Sequence, residues 1–485
     1  MRRMTGEGSL GASFIPVFTN YLHNKPREEA CAFAQKIFWD LAAILAVLAA
    51  LGVVFSRQVI HFVTMFSGHQ ASWGLAVDLN RIISPVILFL GVGAIATAIL
   101  HSFRVFALPA ATSIFFNLAL IAFSFGVVYR PILRWIPDGG RTPATALALG
   151  ILAGGVLHLG VQLPALVKRG ISLAPRFSVS DVGVRTVGRL MGPAFFGMGV
   201  YQINMFIDTM FATSSRMPSG SVMSLYVADR VMQLVLGSYA IAMSTALLPA
   251  MSYQLAAGKW DEMKHTFGFS LRIVSFITIP AAAGLILLRH AIIQVLFQHG
   301  QFVTESTFLT ARALLYYSFG LPAFAAVKLI TPMYYSAQDT WTPARVGAMS
   351  LGVNILLNTM FLLFFFRALS DGGPALASAL AAYFQFAMLF LWFRKRYGRM
   401  GATRWIAPLC KMAACAGAMI AALSIALRLY PFATAARLPA QAALLAALIA
   451  GAAAVYFVLA RLLRCQELAE FLLLLRRTES PVQQG

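Results

Sequence analysis

Long apolar runs, each roughly twenty residues or more, alternate along this chain with short polar connections. Twelve such runs lie between 33–62 at one end and 439–463 at the other, and a weaker one occupies 8–22. About 20 apolar residues make a helix that crosses the roughly 30 Å hydrocarbon core of a bilayer. The pattern therefore predicts an all-α polytopic membrane protein of about 13 spans. Strands of a membrane barrel would be about ten residues long with alternating polarity, which is not the pattern here. The runs are punctuated by turn residues such as Pro137-Asp138-Gly139-Gly140, Pro218-Ser219-Gly220 and Asp371-Gly372-Gly373.

Composition agrees with that reading. Of 485 residues, 59% are apolar and 11% charged, where soluble domains carry about a quarter charged residues. The 38 Lys and Arg against 17 Asp and Glu leave a net charge of +21. That excess suggests a nucleic-acid partner only if it is clustered, and here it sits at the ends of the apolar runs, as in Lys168-Arg169 and Arg394-Lys395-Arg396. Taking the connections alternately, one set holds twenty Lys and Arg and the other nine. The positive-inside rule then places the C-terminus in the cytoplasm. No nucleic-acid partner is expected. The four cysteines form no CxxC and no Cys/His cluster, so buried free thiols are expected. No HExxH, P-loop or GxSxG occurs, which argues against an enzyme and a bound cofactor.

The two halves echo one another. Pro16 and Pro249 lie 233 residues apart, Arg57 and Arg289 lie 232 apart, and Pro109 and Pro343 lie 234 apart, each in a similar local setting. Same-direction repeats with an even number of helices suggest two lobes related by an axis along the membrane normal, with a substrate site between them. The expected division is an N-terminal lobe at 1–170, a C-terminal lobe at 171–400, an extra pair of spans at 401–464 and a cytoplasmic tail at 465–485. The helix near 183–214 opens the second unit of the repeat. Its counterpart would fall before residue 1, so the repeat expects one further helix at the front.

Ionisable side chains at membrane depth cost about 3 kcal/mol each on insertion scales and are functional candidates by default. Asp229 and Arg230 stand inside the apolar segment from Leu225 to Met232. Neighbours in sequence do not face each other on a helix, so each needs its own partner or water; an interhelical salt bridge is the competing structural role. Arg2, Arg3 and Glu7 form a second group at the entry to the first run, where a juxtamembrane anchor is the alternative. Asp208 lies near the end of a span. Asn354 and Asn358 are four apart and share a helix face, and with Ser378 these residues form a candidate oxygen-rich site for a monovalent cation. Interhelical hydrogen bonding by the two asparagines is the alternative. Asp40 can be read either way.

Linked motifs then carry a resemblance. Glu7-Gly8-Ser9-Leu10 with Phe14-Ile15-Pro16-Val17, Leu225 to Arg230 followed by Ala246-Leu247-Leu248-Pro249, Leu296-Phe297-Gln298-His299-Gly300, Gly320 to Phe324, and Gln338-Asp339-Thr340-Trp341-Thr342-Pro343 are similar to the pattern of the MurJ (MviN) lipid II flippases, in the multidrug/oligosaccharidyl-lipid/polysaccharide exporter superfamily. The resemblance covers essentially the whole chain. It implies two six-helix lobes plus two C-terminal helices, here 406–430 and 439–463, that form a lipid-facing groove. It implies transport of an undecaprenyl-pyrophosphate-linked peptidoglycan precursor from the cytoplasmic to the periplasmic leaflet of the bacterial inner membrane. The family's cavity cations fall on Arg2 or Arg3 and on Arg230, with Glu7 and Asp229 as acidic neighbours. Implied partners are the lipid-linked precursor, membrane lipids and the cell-wall synthesis machinery. Drive by membrane potential or a monovalent cation is a further expectation. The family's first helix is the element without a counterpart here. Rival expectations are an exporter of another polyprenyl-linked oligosaccharide or amphipathic drug, and a non-transporting paralogue.

Overall fold

The computed structural model describes residues 9–64, 73–103, 105–129, 143–178, 185, 188, 202–237, 240, 243–244, 247, 251, 253–255, 257–337, 339, 341–398, 400–401, 403–429 and 438–470. All the regular structure in them is helical. Ten helices among the described residues are long and apolar enough to cross a membrane. The weak run expected at 8–22 is a helix of 16 residues. The runs expected near 186–212 and 221–250 lie partly outside the described residues. The chain divides into two compact units, Met1–Gly199 and Val200–Gly485.

The first unit contains α1 (Ser9–Asn24), α2 (Arg27–Val54), α3 (Ser56–Val63), α4 (Trp73–Ile83), α5 (Val86–Ser102), α6 (Ala107–Tyr129), α7 (Pro143–Gly160) and α8 (Leu163–Lys168). Pro26 fixes the start of α2, and Glu28 and Glu29 in its first turn complement the positive end of the helix dipole. The core is aromatic at one end: Phe14 stacks on Phe18 at 5.1 Å, and Tyr21 on Phe33 at 4.3 Å. After α8 the backbone runs along α2 as an extended strap. Gln35 Nε2 donates to the Ala174 carbonyl at 2.6 Å, and the Ser178 backbone N–H donates to Asp40 Oδ1 at 3.1 Å. Asp40 therefore holds the strap down, which gives this buried carboxylate its partner.

The second unit contains α9 (202–212), α10 (Ser221–Leu236), α11 (Trp260–Phe297), α12 (Thr304–Ser336), α13 (Trp341–Phe364), α14 (Gly373–Tyr397), α15 (Thr403–Leu429) and α16 (Leu438–Leu462). With 38 residues, α11 is about 57 Å long at 1.5 Å per residue, well beyond one bilayer core. Two family-like motifs turn out to be helix boundaries. Within Leu296–Gly300, Gln298 Nε2 donates to Thr304 Oγ1 at 3.1 Å while its Oε1 accepts from Thr307 Oγ1 at 3.0 Å, so one side chain ties the end of α11 to the first turn of α12; Gly300 supplies the left-handed φ of 62° that the turn needs. Asp339 caps α13: its Oδ1 accepts the Thr342 N–H at 2.9 Å, and its Oδ2 accepts from Arg396 at 2.6 Å.

α12 lies at the centre of the second unit, with α10, α11 and α14 packed around it. A Cβ added at Gly320 would stand 2.7 Å from the Ala379 Cβ, so the α12–α14 crossing needs a small residue there. α15 and α16 pack on α11 through Phe276, Met412, Met419 and Tyr456, whose hydroxyl donates to the Phe276 carbonyl at 3.0 Å. Beyond α16, Glu467 is buried and pairs with Arg272 of α11 at 3.0 Å. Large apolar side chains such as Leu356 and Phe364 project outward from their unit, as a lipid-facing surface requires.

Candidate functional site

Two groups of polar residues stand out in the second unit, and the sequence predicts a different chemistry for each. The first is the cluster around Asp208 of α9. Asn354 and Asn358, one turn apart on α13, both aim at it: their Nδ2 atoms donate to Asp208 Oδ1 at 3.2 and 2.9 Å. Ser378 of α14 donates to Asp208 Oδ2 at 2.5 Å. All four side chains are buried. The residues proposed as one oxygen-rich group are thus brought together by three helices. Sequence reasoning missed a fifth member: Asn204, one turn before Asp208, donates from Nδ2 to Ser378 Oγ at 2.9 Å. Its spacing of four from Asp208 was the available signal.

The donor set suits a small, hard, monovalent cation. It offers two carboxylate oxygens, two amide oxygens and a hydroxyl, with a single formal negative charge, and it has no soft ligand. Asn358 Oδ1 is buried and finds no hydrogen-bond donor among the described residues. A buried acceptor without a donor is costly, and a cation would satisfy it. Rotating an asparagine amide exchanges the Nδ2 now facing Asp208 for an oxygen, so the cluster can trade internal hydrogen bonds for cation ligands.

The second group is on α10. Asp229 is buried, and Gln233 Nε2 donates to its Oδ2. Arg230 turns the other way, onto the exposed face of α10 in its unit. Its Nη2 donates to the Tyr226 hydroxyl at 2.8 Å, and the guanidinium lies 4.9 Å from the centre of the Tyr226 ring. The aromatic face orients the planar cation and leaves most of its donors free to engage an anion. Arg2, Arg3 and Glu7 lie outside the described residues.

Sequence reasoning also missed Asp371, which reads there as part of a turn. Its carboxylate is fully buried; Arg312 lies 3.4 Å from Oδ1, and Ser224 Oγ donates to Oδ2 at 3.2 Å. Nothing in the sequence signals these contacts, since Arg312 and Asp371 are 59 residues apart.

The fold and the α10 motif can be set beside known proteins. The family model described as "Lipid II flippase MurJ" matches residues 1–439. A probable lipid II flippase MurJ of Vibrio cholerae serotype O1 is 31% identical over 398 residues, covering 80% of this chain and 73% of the relative. One from Rhizobium meliloti is 30% identical over 468 residues, 95% of this chain and 84% of the relative. A lipid II flippase MurJ of Burkholderia cenocepacia is 30% identical over 402 residues, 82% of this chain and 75% of the relative. Among solved structures, a lipid II flippase MurJ in an inward closed conformation superposes with a TM-score of 0.75 at 23% identity, covering 95% of this chain and 89% of that one. An inward-facing multidrug resistance MATE family transporter gives 0.64 at 15% identity, with 81% and 87% coverage, a likeness of fold alone. The match across the helical lobes and their motifs, at this identity and coverage, makes the chain a multi-pass membrane transporter rather than an enzyme: it belongs to the MurJ family of lipid II flippases.

Proposed function

We propose that this chain moves lipid II, the polyprenyl-pyrophosphate-linked peptidoglycan precursor, from the cytoplasmic to the periplasmic leaflet by alternating access. The observation that carries the reading is Arg230, a cation held open by Tyr226 on the exposed face of α10, in a chain whose family is named for this lipid. A pyrophosphate with a sugar–peptide head cannot cross hydrocarbon bare, and an arginine fork matches its oxygens. Arg2 and Arg3 supply further positive charge, with Glu7 and Asp229 as acidic neighbours in the sequence. The headgroup crosses on the protein's cations while the polyprenyl tail stays in lipid along the 401–464 pair. The cytoplasmic C-terminus follows from the charge bias of the connections.

The Asp208 cluster supplies the coupling site in this reading. A monovalent cation bound by Asp208, Asn354, Asn358 and Ser378 stabilises one arrangement of α9, α13 and α14, and its release allows the other. Membrane potential acting on the bound cation then contributes about 2.3 kcal/mol per charge per 100 mV. Complementation tests the transport assignment. The chain should rescue cells depleted of their own lipid II flippase, and Arg230→Ala should not rescue at equal expression. Failure of the unaltered chain beside a working control would refute it, and full rescue by Arg230→Ala would remove that residue from the site.

A further inference from the structure

We infer that the stretch 463–470 is a proton-set latch, which closes on the cytoplasmic turns of α11 while Glu470 holds a proton and opens when that proton leaves. None of its residues belongs to the Arg230 or Asp208 groups.

The stretch begins where α16 stops. Arg464 takes a left-handed φ of 50°, and the Cys465 N–H donates back to the Ala460 carbonyl at 2.9 Å. A residue with a side chain is strained in that conformation and keeps it only where contacts on either side hold it. Lys411 of α15 holds one side, donating from Nζ to the Leu463 carbonyl at 3.1 Å. On the other side Cys465 is buried among Met412, Cys415 and Tyr456, with Leu468 packed beside it. Arg272 of α11 donates from Nη1 to Glu467 Oε1 at 3.0 Å, and the Glu467 side chain is only 3% exposed. α11 is long enough to run past one bilayer core, and the charge bias of the connections puts this end in the cytoplasm.

The contact has one acid too many. Glu467 and Glu470 are three apart and share a face of the stretch, while His265 and Arg272 are seven apart and share a face of α11. Around Glu470 stand Arg272 and His265 of α11 and Glu467 of its own stretch; α15 brings Lys411 and the Cys415 thiol, and α16 the Tyr456 hydroxyl, beside Cys465. Arg272 answers the charge of Glu467. Glu470 Oε2 is buried and finds no donor among the described residues. A bare buried carboxylate is costly, and a second one beside Glu467 adds like-charge repulsion, whereas a protonated carboxyl carries no net charge to desolvate. Burial pushes the Glu470 carboxyl above its ordinary 4.5; Arg272 and His265 pull it back and Glu467 adds to the rise. The docked stretch therefore binds that proton more tightly than a released one does. Docking is strongest below pH 4.5 and weakens as pH climbs through the raised value.

The test is amide hydrogen exchange of the purified full chain in micelles. It is read as protection factors over 463–470, so that the intrinsic pH dependence of exchange cancels, with α12 as the internal reference. Between about pH 5 and about pH 8 the protection of the stretch should fall about tenfold while α12 keeps its own. Glu470→Gln, neutral at every pH, should keep the acid-side protection throughout, and Glu470→Ala serves in its place if that variant does not fold. Glu467→Gln, which takes away the partner of Arg272, should show low protection across the range. Flat wild-type protection, high or low, would overturn the latch, and so would a full pH response from Glu470→Gln. A Glu467→Gln variant as protected as the wild type would overturn it too. If α12 loses protection together with the stretch, the unit itself is unfolding and the latch is equally overturned. The comparison of wild type with Glu470→Gln decides the matter even if Glu467→Gln does not fold.

Discussion

Removing the hydroxyl of Ser378 is the sharpest perturbation of the polar cluster, because it changes almost no volume. That oxygen donates to Asp208 at 2.5 Å and accepts from Asn204 at 2.9 Å and from Asn354 at 3.1 Å. Three interhelical bonds, linking α9, α13 and α14, vanish together in Ser378→Ala. Interhelical hydrogen bonds in membrane proteins are worth about 0.6 kcal/mol each on average, up to about 1.7. Two average bonds and one charge-assisted bond near the upper figure give a loss of about 3 kcal/mol. Because 1.4 kcal/mol is tenfold, the folded-to-unfolded ratio should fall by roughly two orders of magnitude. The assay is reversible unfolding in mixed micelles, followed by tryptophan fluorescence. Ser378→Thr keeps the hydroxyl and should recover most of the loss, at the cost of one methyl group in a buried site. If Ser378→Ala unfolds within about 0.5 kcal/mol of the wild type, the bonds do not hold the helices. If Ser378→Thr is as damaged as Ser378→Ala, the hydroxyl is not the cause.

Other outcomes follow from single contacts. Gly320→Leu should destabilise the second unit by about 1–3 kcal/mol, since even a Cβ there stands 2.7 Å from the Ala379 Cβ; a melting temperature equal to wild type would show that the α12–α14 crossing can open. Arg272→Ala leaves Glu467 buried without its partner and should cost about 3–5 kcal/mol, whereas the double variant Arg272→Ala with Glu467→Gln should recover a large part; equal melting of single and double variants would contradict this. Asp40→Ala should free the strap near Ser178, read as faster amide exchange or proteolysis over 171–178 with α2 intact; unchanged protection would refute the pinning.

What the sequence made legible depended on how far apart the interacting residues lie. The helices were plain because each apolar run carries its own signal. Asn354 and Asn358 were legible because their spacing of four puts them on one face whatever the tertiary fold does. Arg312–Asp371 and Arg272–Glu467 were not, because partners 59 and 195 residues apart meet only through packing, and each residue alone reads as a loop or anchor charge. Asp40 was ambiguous for the same reason: its partner is a backbone N–H 138 residues away. The motifs around Gln298 and Asp339 were legible as family features, yet their physical roles, a tie between two helices and a helix cap, needed coordinates, since the decisive atoms are side-chain oxygens meeting the next helix.

The most direct test of the central claim is lipid II translocation by the purified full chain in sealed vesicles, scored by access of an added enzyme or quencher to a labelled headgroup. The unaltered chain should move the label across the bilayer, and Arg230→Ala, folded to the same melting temperature, should leave it where it began. Translocation that proceeds equally well with Arg230→Ala, or none at all from the unaltered chain beside an active control, would contradict the account.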